Sequence, residues 1–237
     1  IRVIVMVFNS LIYLLFLFVV VFLFYLLPAR LKWVWLLLAS IAFYLSFIPV
    51  FIILLFFIVL ANYFLAKWLA KVPENLSSLI FFIIIAINLI ILAFFKYFNN
   101  LFPDNQIYLY NVDLFYRVNP INKMILPLGL SYLIFTVLSY HIEIKRKNIQ
   151  PENHLGYFSL YLLFFPKFLS GPIERSNHFL PQVKNSRKLN FEFVSQGFRL
   201  FLWGVLKKMV IANNLEEPVS RIYNDVYSYT GNQLIFV

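Results

Sequence analysis

The chain has 237 residues, 62% hydrophobic and 13% charged, and its 20 Lys+Arg against 10 Asp+Glu give a net charge of +10. So few charges leave too little polar surface to cover the apolar volume, which excludes a disordered chain and argues for a bilayer rather than water as the solvent. With no cysteine, disulfides, thiolate zinc sites, redox dithiols and a cysteine nucleophile are excluded together.

The sequence opens on Ile1 with its first methionine at Met6 and closes on Gln233 to Val237 with no stop signal, so both ends read as cut. Phe8 to Leu27 is uncharged and long enough to cross about 30 Å of hydrocarbon at roughly 1.5 Å per residue. It ends at Pro28 with Arg30 and Lys32 behind it, and the whole uncharged stretch from Val3 to Ala29 exceeds a signal-peptide core and lacks a small-residue cleavage site, so it reads as a retained membrane helix. Trp33 to Ala66 carries no charge, is too long for one helix and contains Pro49. Because the residue before a proline is pushed out of helical conformation, two helices meeting near Ile48 and Pro49 are expected. Leu76 to Phe95 and Ile125 to Ile142 complete a set of five, with Tyr97 to Lys123, rich in asparagine and tyrosine, as the loop between them.

If every helix crosses, Arg30, Lys32, Lys67, Lys71, Lys145, Arg146 and Lys147 share one side and Arg2, Lys96, Arg117 and Lys123 the other. Seven against four fits a positive-inside arrangement with the N-terminus outside. The net charge is then mostly topology, and without a compact basic stripe or a recognition motif no nucleic-acid partner is expected. The sequon Asn75-Leu76-Ser77 falls on the inner side and is taken as chance.

Leu155 to Leu169 is apolar but short, contains Pro166 and Lys167, and has cations on both flanks, including Arg175, Lys184, Arg187 and Lys188. That pattern reads as a re-entrant or interfacial segment, tolerated at depth where it is buried in protein or lines a cavity. A last helix, about Phe191 to Asn213, carries Arg199, Lys207 and Lys208 among apolar residues. Two readings stand for it: an interfacial helix whose cations reach headgroups, or a cationic set lining a funnel that holds an anionic ligand. The fold class expected is all-α, a polytopic transmembrane protein with re-entrant or interfacial helices, and residues 1–237 read as one transmembrane domain.

Residue types alone give little chemistry. Gly129-Leu130-Ser131-Tyr132-Leu133 lacks the second glycine of a nucleophile elbow, and no phosphate-cradling loop occurs. His141, His154 and His178 are too far apart to pair on one helix turn, so no metal site is expected. His141 reads as an interfacial histidine at a helix end, and the other two as solvated loop residues.

Leu126-Pro127-Leu128-Gly129-Leu130-Ser131-Tyr132 through Ser139-Tyr140-His141-Ile142-Glu143, and Phe164-Phe165-Pro166-Lys167-Phe168-Leu169-Ser170-Gly171-Pro172-Ile173-Glu174-Arg175, form an ordered pair of patterns. Phe179-Leu180-Pro181-Gln182, the run from Gly197 to Leu215 and the opening Met6-Val7-Phe8-Asn9-Ser10 extend it. Together they resemble the membrane-bound O-acyltransferase family, in the branch typified by alginate O-acetyltransferase, over nearly the whole chain. The resemblance implies a partial ring of tilted helices around a thin funnel, in the N-terminal half of a longer domain. It implies transfer of an acyl group, acetyl in this branch, to a hydroxyl of an exported or cell-envelope polysaccharide. An acyl donor enters as co-substrate with no bound cofactor. Membrane lipids, the polysaccharide acceptor and envelope acetylation proteins are the implied partners, in a multi-pass protein of the bacterial cell membrane. The family's catalytic histidine sits in a Trp-His context, and no Trp-His pair occurs here, so that histidine is placed beyond Val237 and the chain alone is expected to be inactive. His141 stands where the family motif is aliphatic and takes no catalytic role. Arg175, Lys207 and Lys208 are the candidate funnel or substrate-binding residues, with headgroup contact as the competing reading. Pro166, Gly171 and Pro172 are expected to break the helix so that the chain re-enters. The alternative function is a non-catalytic membrane scaffold or transport subunit that keeps the funnel.

Overall fold

The computed structural model describes residues 10–47, 49–101, 127–168, 171–185 and 190–224. The Met6 start, most of the predicted 97–123 loop with Arg117 and Lys123, the cations Arg187 and Lys188, and the 233–237 tail lie outside the described residues. Every regular element among those described is helical. They form two compact units, residues 1–187 and 188–237.

In the first unit, prolines set most of the boundaries. Helix α1, Leu11–Leu26, starts where the Ser10 hydroxyl accepts the Tyr13 N–H at 3.1 Å, and it stops just before Pro28. Helix α2, Ala29–Leu45, opens directly after Pro28. The predicted break at Pro49 is present as a short 3-10 turn, Pro49–Phe51, leading into α3, Ile52–Lys71. Pro73 then precedes α4, Glu74–Leu101. A proline suits the entrance of a helix because its missing N–H is one that would have no intrahelical partner there. Helix α4 continues past Tyr97, further than predicted, because Phe94, Lys96 and Phe98 carry on the helical pattern; Phe94 stacks edge-on against Phe98. Two helical stretches, Pro49–Lys71 and Glu74–Phe98, are long and apolar enough to cross a membrane, and α1 is a shorter apolar helix.

Helix α5, Leu130–Lys145, begins five residues later than predicted, because Gly129 sits in a left-handed conformation at φ 71° and turns the chain after Pro127. Helix α6, Leu155–Leu163, the short helix α7, Phe165–Phe168, and α8, Ser176–Lys184, complete the unit. Leu55, Ile84, Leu133, Val137, Phe158 and Tyr161 form part of one continuous core drawn from α3, α4, α5 and α6. A second aromatic cluster joins Tyr13 of α1, Phe43 of α2 and Phe165 of α7.

One buried polar pair locks α3 to α4. The side-chain amides of Asn62 and Asn88 exchange hydrogen bonds of 3.1 and 3.0 Å, and each also donates to the carbonyl one turn earlier, Ile58 or Ile84. Asn62→Leu is expected to destabilise the protein by about 1–2 kcal/mol, since it strands the Asn88 amide in apolar surroundings. Asn62→Leu with Asn88→Leu should cost less than the sum of the singles in a thermal-unfolding double-mutant cycle.

The second unit holds α9, Phe191–Leu206, a π-helical turn, Lys207–Ala212, and α10, Asn213–Asn224. Asn190 caps α9 by accepting the Glu192 N–H at 2.8 Å. Helix α9 has no buried residue, and Phe191, Leu200 and Trp203 are exposed.

Candidate functional site

The described residues of the Phe-Phe-Pro to Gly-Pro-Ile-Glu-Arg pattern, 164–168 and 171–175, form a hairpin between α6 and α8. Helix α6 cannot run through Pro166, whose ring would collide with the carbonyl four residues back and which offers no N–H to it. The break falls two residues earlier, at Phe164, with φ −56° and ψ 112°. It frees the Phe165 N–H, which donates to the Ser40 hydroxyl of α2 at 3.2 Å, while that hydroxyl donates to the Leu36 carbonyl at 2.8 Å. Pro166 itself lies within α7, so it forces the break without occupying it.

Gly171 closes the turn: its N–H donates to the Lys167 carbonyl at 3.0 Å, and a Cβ at this position would stand 2.6 Å from the Lys167 Cα. Only a residue without a side chain fits so close an approach. Residues 171–175 then run without regular structure, and two tyrosine hydroxyls hold their backbone. Tyr132 of α5 donates to the Pro172 carbonyl at 3.0 Å, and Tyr161 of α6 donates to the Glu174 carbonyl at 2.9 Å. Pro166, Gly171 and Pro172 are thus brought into one hairpin, as parts of its backbone.

The charge at the centre of the hairpin is Lys167, which sequence reasoning passed over. Only 6% of it is exposed, and its ammonium sits 3.9 Å from the centre of the Phe179 ring and 4.6 Å from that of Tyr161. The Glu174 carboxylate lies 3.5 Å away, and its other oxygen pairs with the His178 Nδ1 at 2.8 Å. The available signal was a lone lysine inside a Phe-Phe-Pro-Lys-Phe run, where ring faces can take a cation, with an acid seven residues on.

Arg175 stands at the N-terminal cap of α8 and is exposed. With Glu174, Asn177 and His178 it lines an open surface depression of about 480 Å³. The far end of α8 is fixed by an ion pair between Lys184 and the largely buried Glu152. Lys207 and Lys208 lie in the π-helical turn of the second unit, both exposed. The first unit therefore offers an exposed guanidinium and a buried ammonium paired with Glu174, and the second two exposed ammonium groups. Among the described residues no three His, Asp or Glu side chains gather as a metal site.

His141 corrects an expectation. It is fully buried within α5 rather than interfacial, with Nδ1 donating to the Val137 carbonyl at 2.9 Å. The cause is that α5 is enclosed along most of its length, with Tyr140, Glu143 and Ile144 buried beside it. His154 caps α6 by accepting the Tyr157 N–H at 3.4 Å and packs edge-on against Trp33, and His178 is exposed on α8 rather than in a loop.

The sequence relatives are acyltransferases. The chain is 30% identical over 95 residues to the probable alginate O-acetylase AlgI of Pseudomonas putida, covering 40% of this chain and 19% of that protein. It is 27% identical over 117 residues to the peptidoglycan O-acetyltransferase of Helicobacter pylori, covering 38% of this chain and 22% of the relative. The teichoic acid D-alanyltransferase of Streptococcus thermophilus is 32% identical over 97 residues, covering 40% of this chain and 23% of the relative. These relatives belong to the membrane-bound O-acyltransferase family, and the resemblance read from the motifs is borne out over that shared stretch. The chain spans about a fifth of the length of the curated relatives it matches. No family model and no solved structure matches.

Proposed function

We propose that this chain is part of a membrane-bound O-acyltransferase that moves an acyl group, acetyl in the first instance, onto hydroxyls of an exported or cell-envelope polysaccharide. The observation that carries this reading is the ordered series of motifs, with the hairpin of residues 164–168 and 171–175 at its centre. The names of the three relatives differ in acceptor (alginate, peptidoglycan, teichoic acid) and in acyl group (acetyl, D-alanyl), but each names acyl transfer to a polymer. In the reaction the acceptor hydroxyl loses its proton to a base, its oxygen bonds to the acyl carbonyl carbon, and the donor's leaving group departs with a proton. A histidine suits the role of base, typically contributing about 10²- to 10⁴-fold.

The chain is multi-pass in the cell membrane, with residues 155–169 re-entrant or interfacial and the whole forming part of one larger transmembrane domain. Arg175 in the first unit, and Lys207 and Lys208 in the second, are each candidates to bind an anionic donor or acceptor. Envelope acetylation proteins supply or receive the substrates. Since the sequence holds no Trp-His pair, the 237 residues by themselves do not transfer acyl groups. An O-acyl ester assay on the purified chain checks that, and measurable transfer would refute it.

In a protein that extends this chain through a Trp-His motif, Arg175→Ala should lower polymer O-acylation by about tenfold to a hundredfold. That is the rate equivalent of losing one charged hydrogen bond. Unchanged ester content at normal expression would return Arg175 to headgroup contact. The second reading, a non-catalytic scaffold or transport subunit, rests on the missing Trp-His pair. It is favoured if the gene encodes no such motif and the protein still supports polymer export.

A further inference from the structure

A small cavity lies where α2, α3, α6 and α7 meet. Its walls include Ser40, Tyr44, Leu55, Leu163 and Phe168, and the centre of a water molecule has about 10 Å³ in which to move. That is the space one water needs, provided that two or more polar groups face it. Ile41, Ile52, Leu55 and Phe168 give the cavity apolar walls, and Ser40 and Tyr44 bring the polar side chains. Tyr44 is 3% exposed, and its hydroxyl meets no donor or acceptor among the described residues. Buried hydroxyls nearly always have a partner. The Ser40 hydroxyl donates to Leu36 and accepts from Phe165, which leaves it one free lone pair. Leu163 is the last residue of α6, where a helix leaves its final carbonyls without intrahelical donors.

We propose that this cavity is a binding site for one structural water, which accepts from the Tyr44 hydroxyl and donates to Ser40 Oγ and the Leu163 carbonyl. The water joins α2 to both sides of the break at Phe164 and completes the hydrogen bonding that the break disrupts. It also backs Phe168, whose ring meets Tyr44 edge-on at 5.4 Å, and so supports the hairpin that follows. The site does not depend on the acyl-transfer reading.

Two measurements on the 237-residue chain in lipid nanodiscs test it. Tyr44→Phe keeps the ring and removes the hydroxyl, and it should lower the thermal midpoint by about 2–4 °C, as expected for losing one such bond in a chain of this size. An unchanged or higher midpoint overturns the proposal, because deleting a buried hydroxyl that bonds to nothing is neutral or favourable. Hydroxyl-radical labelling of the unaltered chain in ¹⁸O water needs no variant to fold. Tyr44 should be labelled several times faster than Tyr140, which is 1% exposed and accepts the Glu152 N–H. Equal labelling of the two tyrosines would also overturn it.

Discussion

Gly129→Ala is expected to be among the most damaging single substitutions in the first unit. At φ 71° an alanine is strained in itself, and its Cβ would lie 2.6 Å from both the carbonyl oxygen and a ring carbon of Phe168. The strain is of the order of 1–3 kcal/mol, and overpacking against a backbone atom adds roughly 1–3 kcal/mol. The contact cannot be relieved by a side-chain rotation alone, since the carbonyl belongs to the hairpin. Size-exclusion profiles in detergent and thermal midpoints read the effect. Gly197→Ala is the control: nothing lies within 4 Å of a Cβ there, and alanine is the better helix former by about 1 kcal/mol. Equal midpoints for the two variants would mean that Gly129 does not set the fit of α5 against α7.

Removing the acid of the buried pair should harm the protein more than removing the base. Glu174→Ala leaves the Lys167 ammonium enclosed by Tyr161 and Phe179 with no counter-charge, and it also releases His178. A fully buried pair broken this way costs about 3–5 kcal/mol. The 3.5 Å separation and the 27% exposure of the Glu174 side chain reduce that to roughly 1–3 kcal/mol. Lys167→Met keeps the apolar stem and discards the charge, so it should fall within about 1.5 kcal/mol of the parent.

A Glu174→Ala variant as stable as Lys167→Met would show that the ammonium reaches solvent and needs no partner.

How far the sequence could be read depended on what each feature rests on. The break at Pro49 and the apolar runs of α3 and α4 were legible because a proline and a long uncharged stretch act locally. The start of α5 was not, because Ile125 is apolar and only the left-handed turn at Gly129 excludes the residues before Leu130. Lys167 was missed for a different reason. Its burial is made by Tyr161, Glu174 and Phe179, from α6, the 171–175 stretch and α8, and no periodicity within its own segment reports them. His141 was misjudged in the same way: a basic cluster nearby suggested a helix end at an interface, whereas packing along α5 decides. Arg175, at the entrance of α8, was legible as a cation beside the hairpin, and Lys207 and Lys208 as neighbours on one helical run.

The hydrogen bond between Phe165 and Ser40 also has a history in time. The two residues are 125 positions apart, so at synthesis rates of about 5–20 residues per second the acceptor exists roughly 6–25 s before its donor. Ser40 can wait without cost, because its own proton is already taken by the Leu36 carbonyl one turn back. The Phe165 amide has no such interim partner, since the break that exposes it also removes its helical one. On the proposed membrane topology, α2 is thus a receptor in place before the break is made, and the hairpin is among the last parts of the first unit to mature.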